Sequence, residues 1–125
     1  MDTVHFGIVA ADGGLPIISK AVVHGGVAYL CGVTAEPGGD AAQQTAQVLQ
    51  RIDRLLAAVG TDKSRLLTAQ VWLADMADFE AHNAVWNQWV DPQHPPARAC
   101  TGAPLWRPGL KVEVMVSAAV ARPGT

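Results

Sequence analysis

Charge is scarce in this 125-residue sequence: Asp, Glu, Lys and Arg make up 16% of it, against 50% hydrophobic residues. Nine basic side chains stand against eleven acidic ones, the formal net charge is −2, and no two Lys or Arg are adjacent. A groove that tracks phosphates needs clustered cations, so nucleic acid is not expected as a partner. No apolar run approaches the ~20 residues that cross a bilayer, so no membrane partner is expected. The first residues, Met1-Asp2-Thr3-Val4-His5-Phe6, lack both the basic start and the apolar stretch of a secretion signal. Cysteine is limited to Cys31 and Cys100, too few for a disulfide framework and without a C-x-x-C pair. The expectation is a cytoplasmic protein with reduced thiols. The four histidines, His5, His24, His82 and His94, have no ligand spacing, so each is given a surface or structural place and no metal is expected. Nucleophile-elbow, dinucleotide and P-loop motifs are all missing.

What remains is one domain's worth of well-patterned chain, residues 1–125, long enough to bury roughly 65% of its unfolded surface. Strands are expected at Val4–Ala10, Ile17–His24 and Val27–Thr34, the last two joined by a Gly25-Gly26 hairpin turn. Asp40 with Gln43 makes a capping-box pattern, and Val48, Ile52, Leu55, Leu56 and Val59 follow at helical spacing up to Gly60. Leu66–Ala74 alternates as a strand, and Asp75 caps a helix over Met76–Val90 with Phe79, Trp86 and Val90 inward. Ala97–Ala103 is a short strand. Leu110–Val120 alternates most cleanly, with Leu110, Val112, Val114, Val116 and Ala118 against Lys111, Glu113, Met115 and Ser117. The order βββαβαββ is an α+β arrangement of six strands and two helices. Two helices cover one face of such a sheet. The other face carries Trp72 and Met115, too apolar to be plainly wet, and a shared face between subunits is the natural solution.

Three residues carry possible chemistry. Pro95 and Pro96 stiffen the approach to Arg98, which is then either a rigid bidentate grip on a carboxylate or a structural partner of a surface acid. Glu113 lies in an apolar run and needs a partner or water. It is either half of a cross-strand ion pair or a carboxylate that holds a water, its pKa raised by burial. Cys100 has no base close to it in sequence, which favours a packed thiol over a nucleophile.

The run Pro96-Ala97-Arg98-Ala99-Cys100, followed by Lys111-Val112-Glu113-Val114, resembles the signature of the RidA family, also called YjgF/YER057c/UK114. The Gln44–Gly60 helix, the segment Leu73-Ala74-Asp75-Met76-Ala77-Asp78-Phe79 and Asn83-Ala84-Val85-Trp86 match it too. Cys31-Gly32 falls where the family typically has Ser-Gly. The resemblance covers nearly the whole chain, with a short deletion between Trp86 and Arg98. It implies a chorismate-mutase-like fold, a homotrimer whose sheets form a central barrel, and a pocket at each subunit interface. The implied activity is hydrolysis of reactive 2-imino and 2-enamino acids to 2-keto acids and ammonium, without a cofactor. By position, Arg98 would clamp a small-molecule carboxylate and Glu113 would activate water. Cys100, Cys31, Gly32 and Asn83 would line the pocket, with both thiols facing it.

The sequence departs from the family pattern in one place. Deaminases of the family carry a pocket Tyr just ahead of the second strand, where this chain has Leu15-Pro16-Ile17-Ile18-Ser19. Ile18 is thus expected in the wall, and Trp106 near the mouth. Two readings follow: a deaminase with a re-shaped, more apolar pocket, or a non-catalytic trimer that binds 2-keto acids as a metabolite sensor. A third, the ribonuclease or translation-inhibitor activity attached to some relatives, fits poorly with a charge of −2.

Overall fold

A central strand organises the molecule, whose computed structural model describes residues 2–120. The elements run β1 (Thr3–Val9), β2 (Ile18–His24), β3 (Val27–Leu30), β4 (Val33–Thr34), α1 (Ala41–Ala58), β5 (Leu66–Leu73), α2 (Phe79–Trp89), β6 (Ala97–Gly102) and β7 (Val112–Ala119). One mixed sheet has the order β1-β2-β3-β7-β5-β6, with β4 also paired to β7. Only β5 and β6 run parallel, and α2 is the crossover between them. β7 pairs antiparallel with β3, β4 and β5. Its period-two pattern buries Val112, Val114, Val116 and Ala118 under the helices and turns Glu113, Met115 and Ser117 to the opposite face.

The local signals act as read. Gly25 and Gly26 both have positive φ, as the two central residues of the β2–β3 hairpin turn require. The Asp40 carboxylate accepts from the Gln43 amide while the Gln43 side chain accepts from the Asp40 amide, at 2.8 and 2.9 Å. At the other end of α1, Thr61 N–H donates to Leu56 and Gly60 N–H to Ala57, which closes the helix with a left-handed glycine. Val48, Leu49, Ile52 and Leu56 are the fully buried face of α1. Each such side chain contributes about 1.5–3 kcal/mol when removed from water.

Two expectations need correction. The strands number seven, because the predicted Val27–Thr34 strand is broken at Cys31-Gly32. Between the pairs Tyr29–Ser117 and Val33–Val114 this strand spends four residues against three on β7. The extra residue makes a bulge, so Leu30 and Val33 both reach the core. The second correction concerns the helix predicted from Met76. Asp75 accepts from the Ala77 amide, but it caps a 3-10 turn over Met76–Asp78, and the α-helix starts at Phe79. That shift rotates Phe79 out to solvent and puts His82, with Trp86, on the buried face.

Gln44 ties the second face's loop to the core. Its amide nitrogen donates to the carbonyls of Gly38 and Gly109, at 3.0 and 2.8 Å, and its oxygen accepts from the Lys111 amide at 2.8 Å. This staples the segment carrying Trp106 to the start of α1, immediately ahead of β7. Gln44→Met keeps the volume and removes all three bonds. It is expected to cost about 2–4 kcal/mol in denaturant unfolding. Hydrogen exchange at the Lys111 amide should accelerate with it.

Candidate functional site

The expected site residues fall into two groups that one copy of the chain does not bring together. The first group lies at the β3–β4 break. The Glu113 carboxylate lodges over Gly32, and its Oε2 takes the place a Cβ would occupy there. Only a glycine at 32 leaves room for the carboxylate in this seat. A cavity of about 550 Å³ opens beside it, walled by Val9, Leu15, Pro16, Ile18 and Trp106. Among the described residues, Glu113 is the only ionisable one of that lining. A second cavity, about 410 Å³, shares Val9 and Ile18 and adds Cys31, Gly32 and Lys20. Ile18 thus lines both cavities, with Trp106 and Glu113 in the first and Cys31 and Gly32 in the second.

Among the described residues Glu113 has no ion pair and no hydrogen-bonded side chain, which answers the cross-strand ion-pair alternative. Burial pushes its pKa above the usual carboxylate value. Burial likewise pushes the Cys31 thiol up, with the nearby Lys20 opposing and Glu113 reinforcing the shift.

The second group is Arg98, Asn83 and Cys100, at the junction of β6 with α2. Arg98 pairs with Ala69 and Cys100 with Val71, both core-facing positions of β5, so both side chains point to the helix layer. Arg98 Nη2 donates to Asn83 Oδ1 at 2.9 Å. Its guanidinium lies 4.9 Å from the Trp86 ring centroid, within cation–π range. Desolvation lowers the Arg98 pKa, though a guanidinium keeps its charge. Arg98 therefore sits on an aromatic base and an amide and has no carboxylate partner among the described residues. Burial pushes the Cys100 thiol up, partly opposed by Arg98, so at neutral pH it packs as a thiol.

Glu113 pairs with Trp72 on β5 and shares its open face. It lies two strands across the sheet from β6, roughly 10 Å, level with Thr101 and so three residues further along than Arg98, and on the other side of the sheet. Cys31, at the end of β3, and Cys100, on β6, lie three strands apart in the sheet order, and both pack against the edge of the same core. A cavity of about 650 Å³ is lined by Tyr29, Thr68, Gln70, Met115 and Ser117 of the open face and reaches the β6 edge at Arg98.

His82 is the feature that sequence reasoning passed over. It is fully buried, with Nδ1 3.0 Å from the Thr45 hydroxyl, and burial followed by the charge of Arg98 pushes its pKa down to about 4. The available signal was its i, i+4 spacing to Trp86, which places both on one helix face. Among the described residues no group of three or more His, Cys, Asp or Glu could hold a metal ion.

The contact between Gly32 and Glu113 gives a direct test. Gly32→Ala forces the carboxylate out of its seat while leaving the backbone in place, because the obstructing atom is the end of a flexible side chain. Thermal unfolding should shift little. Any Glu113-dependent turnover should fall by about 10²-fold, the scale of a 1 Å misplacement.

Comparison with known proteins agrees with the fold. A RutC family protein from Haemophilus ducreyi is 46% identical over 103 residues, 82% of this chain and 88% of the relative. A protein named 3-aminoacrylate deaminase RutC, from Acinetobacter baylyi, is 34% identical over 76 residues, 61% of this chain and 60% of its own. The crystal structure of a YjgF family member from Neisseria meningitidis superposes with a TM-score of 0.87 at 41% identity, covering 98% of each chain. Residues 17–120 match the family described as Endoribonuclease L-PSP. With two helices on a mixed sheet and Glu113 seated over Gly32, the chain belongs to that family, the YjgF/RidA group.

Proposed function

We propose that this protein hydrolyses reactive 2-imino and 2-enamino acids to 2-keto acids and ammonium. The observation that carries the reading is Glu113: a carboxylate in an apolar cavity, without a cation partner among the described residues and with its pKa raised by burial. Such a group moves protons to and from water. Arg98, charged and supported from behind by Asn83 and Trp86, supplies the grip on the substrate carboxylate. The imine carbon is already electrophilic. Glu113 takes a proton from water as the oxygen adds to C2 of the iminium, and returns it to the nitrogen of the resulting carbinolamine; the C–N bond then breaks as the hydroxyl proton passes to Glu113 and on to the departing ammonia, leaving the keto acid and ammonium. An enamine enters by protonation at carbon, giving the imine. No cofactor takes part. The name of the Acinetobacter relative, a deaminase of 3-aminoacrylate, supports this class of reaction.

Since Arg98 and Glu113 lie on opposite faces of one sheet, a working site takes Glu113 from one copy and Arg98 from another. We therefore include a homotrimer with inter-subunit pockets in the proposal. The exposed apolar side chains Val4, Ile8, Ile17, Tyr29 and Met115 support it, being a larger apolar display than a monomer of this size ordinarily leaves wet. The sparse charge, without adjacent basic residues, disfavours an RNA substrate. No helix among the described residues is long and apolar enough to cross a membrane. A carboxylate-binding sensor without turnover is favoured only by the stretch Leu15–Ser19, which supplies no tyrosine hydroxyl where the family resemblance implies one.

Sedimentation equilibrium is expected to give three times 13.1 kDa. A stable monomer at micromolar concentration would remove the shared site.

The activity is tested by following keto-acid release from 2-aminoacrylate, generated by a dehydratase, and from leucine- and phenylalanine-derived imines made by an amino-acid oxidase. The bulkier apolar imines should be preferred, given the Ile18 and Trp106 walls. Arg98→Ala should lose binding of 2-oxobutyrate and turnover together, by at least about tenfold for a charge-assisted contact. Glu113→Gln should keep binding and slow turnover by about 10²–10⁴-fold. In the wild type, turnover should rise with pH through an apparent pKa above the usual carboxylate value, because the ionised form is the base. That limb should vanish in Glu113→Gln. Unchanged binding in Arg98→Ala would refute the clamp.

A further inference from the structure

Two buried polar side-chain atoms in the described residues have no hydrogen-bond partner, Arg98 Nε and His82 Nε2. They belong to the same small assembly. His82 and Asn83 are consecutive on α2, and Asn83 accepts from the outer Nη2 of Arg98. Trp86, one turn further on, packs against both, 6.5 Å from the His82 ring and 4.9 Å from the guanidinium. A buried polar atom without a partner is costly, and two of opposite capacity on neighbouring elements are complementary. Arg98 Nε–H can only donate. His82 Nε2 can accept, provided the ring proton sits on Nδ1 and is donated to the Thr45 hydroxyl.

We infer that His82 is a positioning residue for Arg98: its Nδ1–H donates to the Thr45 hydroxyl, and its Nε2 lone pair accepts from Arg98 Nε–H through one buried water. The two atoms are not in direct hydrogen-bond contact, and a bridging water is the ordinary way such a pair is satisfied. With Nε restrained by His82, Nη2 held by Asn83 and the flat face backed by Trp86, the guanidinium cannot rotate. The donors left over are then aimed outward, as a bidentate grip requires. The low pKa of the ring suits the role, since a protonated His82 would repel Arg98 and lose its acceptor. The inference rests on the reading of Arg98 as the carboxylate clamp.

The test titrates 2-oxobutyrate into the wild type and into Arg98→Ala, His82→Leu, His82→Gln and Thr45→Val, alongside thermal unfolding of each. His82→Leu is expected to bind about tenfold more weakly. His82→Gln, whose amide oxygen can accept in place of Nε2, should recover most of that affinity, and Thr45→Val should fall between. Nitrogen-15 spectra of the wild-type ring should show Nε2 unprotonated at pH 7. If His82→Leu binds as the wild type does while Arg98→Ala does not, the clamp stands and the positioning role falls. Equal weakening by Leu and Gln would reduce His82 to packing and overturn the inference, as would a protonated Nε2. Should Arg98→Ala itself bind normally, the functional reading fails, and the ring spectra still decide the tautomer. If His82→Leu does not fold, His82→Gln and Thr45→Val carry the comparison: near-wild-type affinity in Gln with loss in Thr45→Val supports the link, and no loss in Thr45→Val overturns it.

Discussion

The strict alternation of β7 is the constraint on which both the fold and the site depend. A strand sends successive side chains to opposite faces. Because Val112, Val114, Val116 and Ala118 are needed beneath α1 and α2, Glu113 is committed to the face without helices. The same strand pairs with three others, so a slip of one residue would bury Glu113, Met115 and Ser117 and expose the core. Register here is held by the whole apolar layer. The position of the carboxylate is a by-product of that packing.

The β3–β4 break follows from the same constraint. Glu113 must occupy space on the open face, and the neighbouring strand makes room through a bulge with a glycine at its apex. The break is thus a feature of the site rather than an imperfection of the sheet. Its cost is the regular pairing lost around Cys31 and Gly32, partly recovered where the Cys31 amide donates to the Lys20 carbonyl at 2.9 Å.

Arg98 is placed by different means. The parallel pairing of β5 and β6 turns it toward α2, where Asn83, Trp86 and His82 form its support. One sheet thus carries a cationic group on its helix side and a carboxylate on its bare side. In the proposed reaction, the carboxylate of raised pKa serves proton transfer and the guanidinium that stays charged serves anion recognition. Had they met within one copy, each would have neutralised the other as an ion pair. Their separation leaves both available to a ligand.

The sequence alone determined the elements wherever the signal was local. The capping box at Asp40, the glycine stop at Gly60, the Gly25-Gly26 turn and the alternation from Leu110 onward are short-range chemistry, and each appears as read. Arg98 and Glu113 were legible as singular residues, one behind two prolines and one inside an apolar strand. Tertiary structure decided what no local pattern encodes. The bulge at Cys31-Gly32 exists because a side chain 81 residues later needs the space. The start of α2 moved to Phe79 because the 3-10 turn changed which residues face the core, and that buried His82 against Thr45 of another helix. The division of the site between two faces came from strand order, which local spacing does not carry, since spacing gives the face of a residue within its own strand and pairing gives its neighbours.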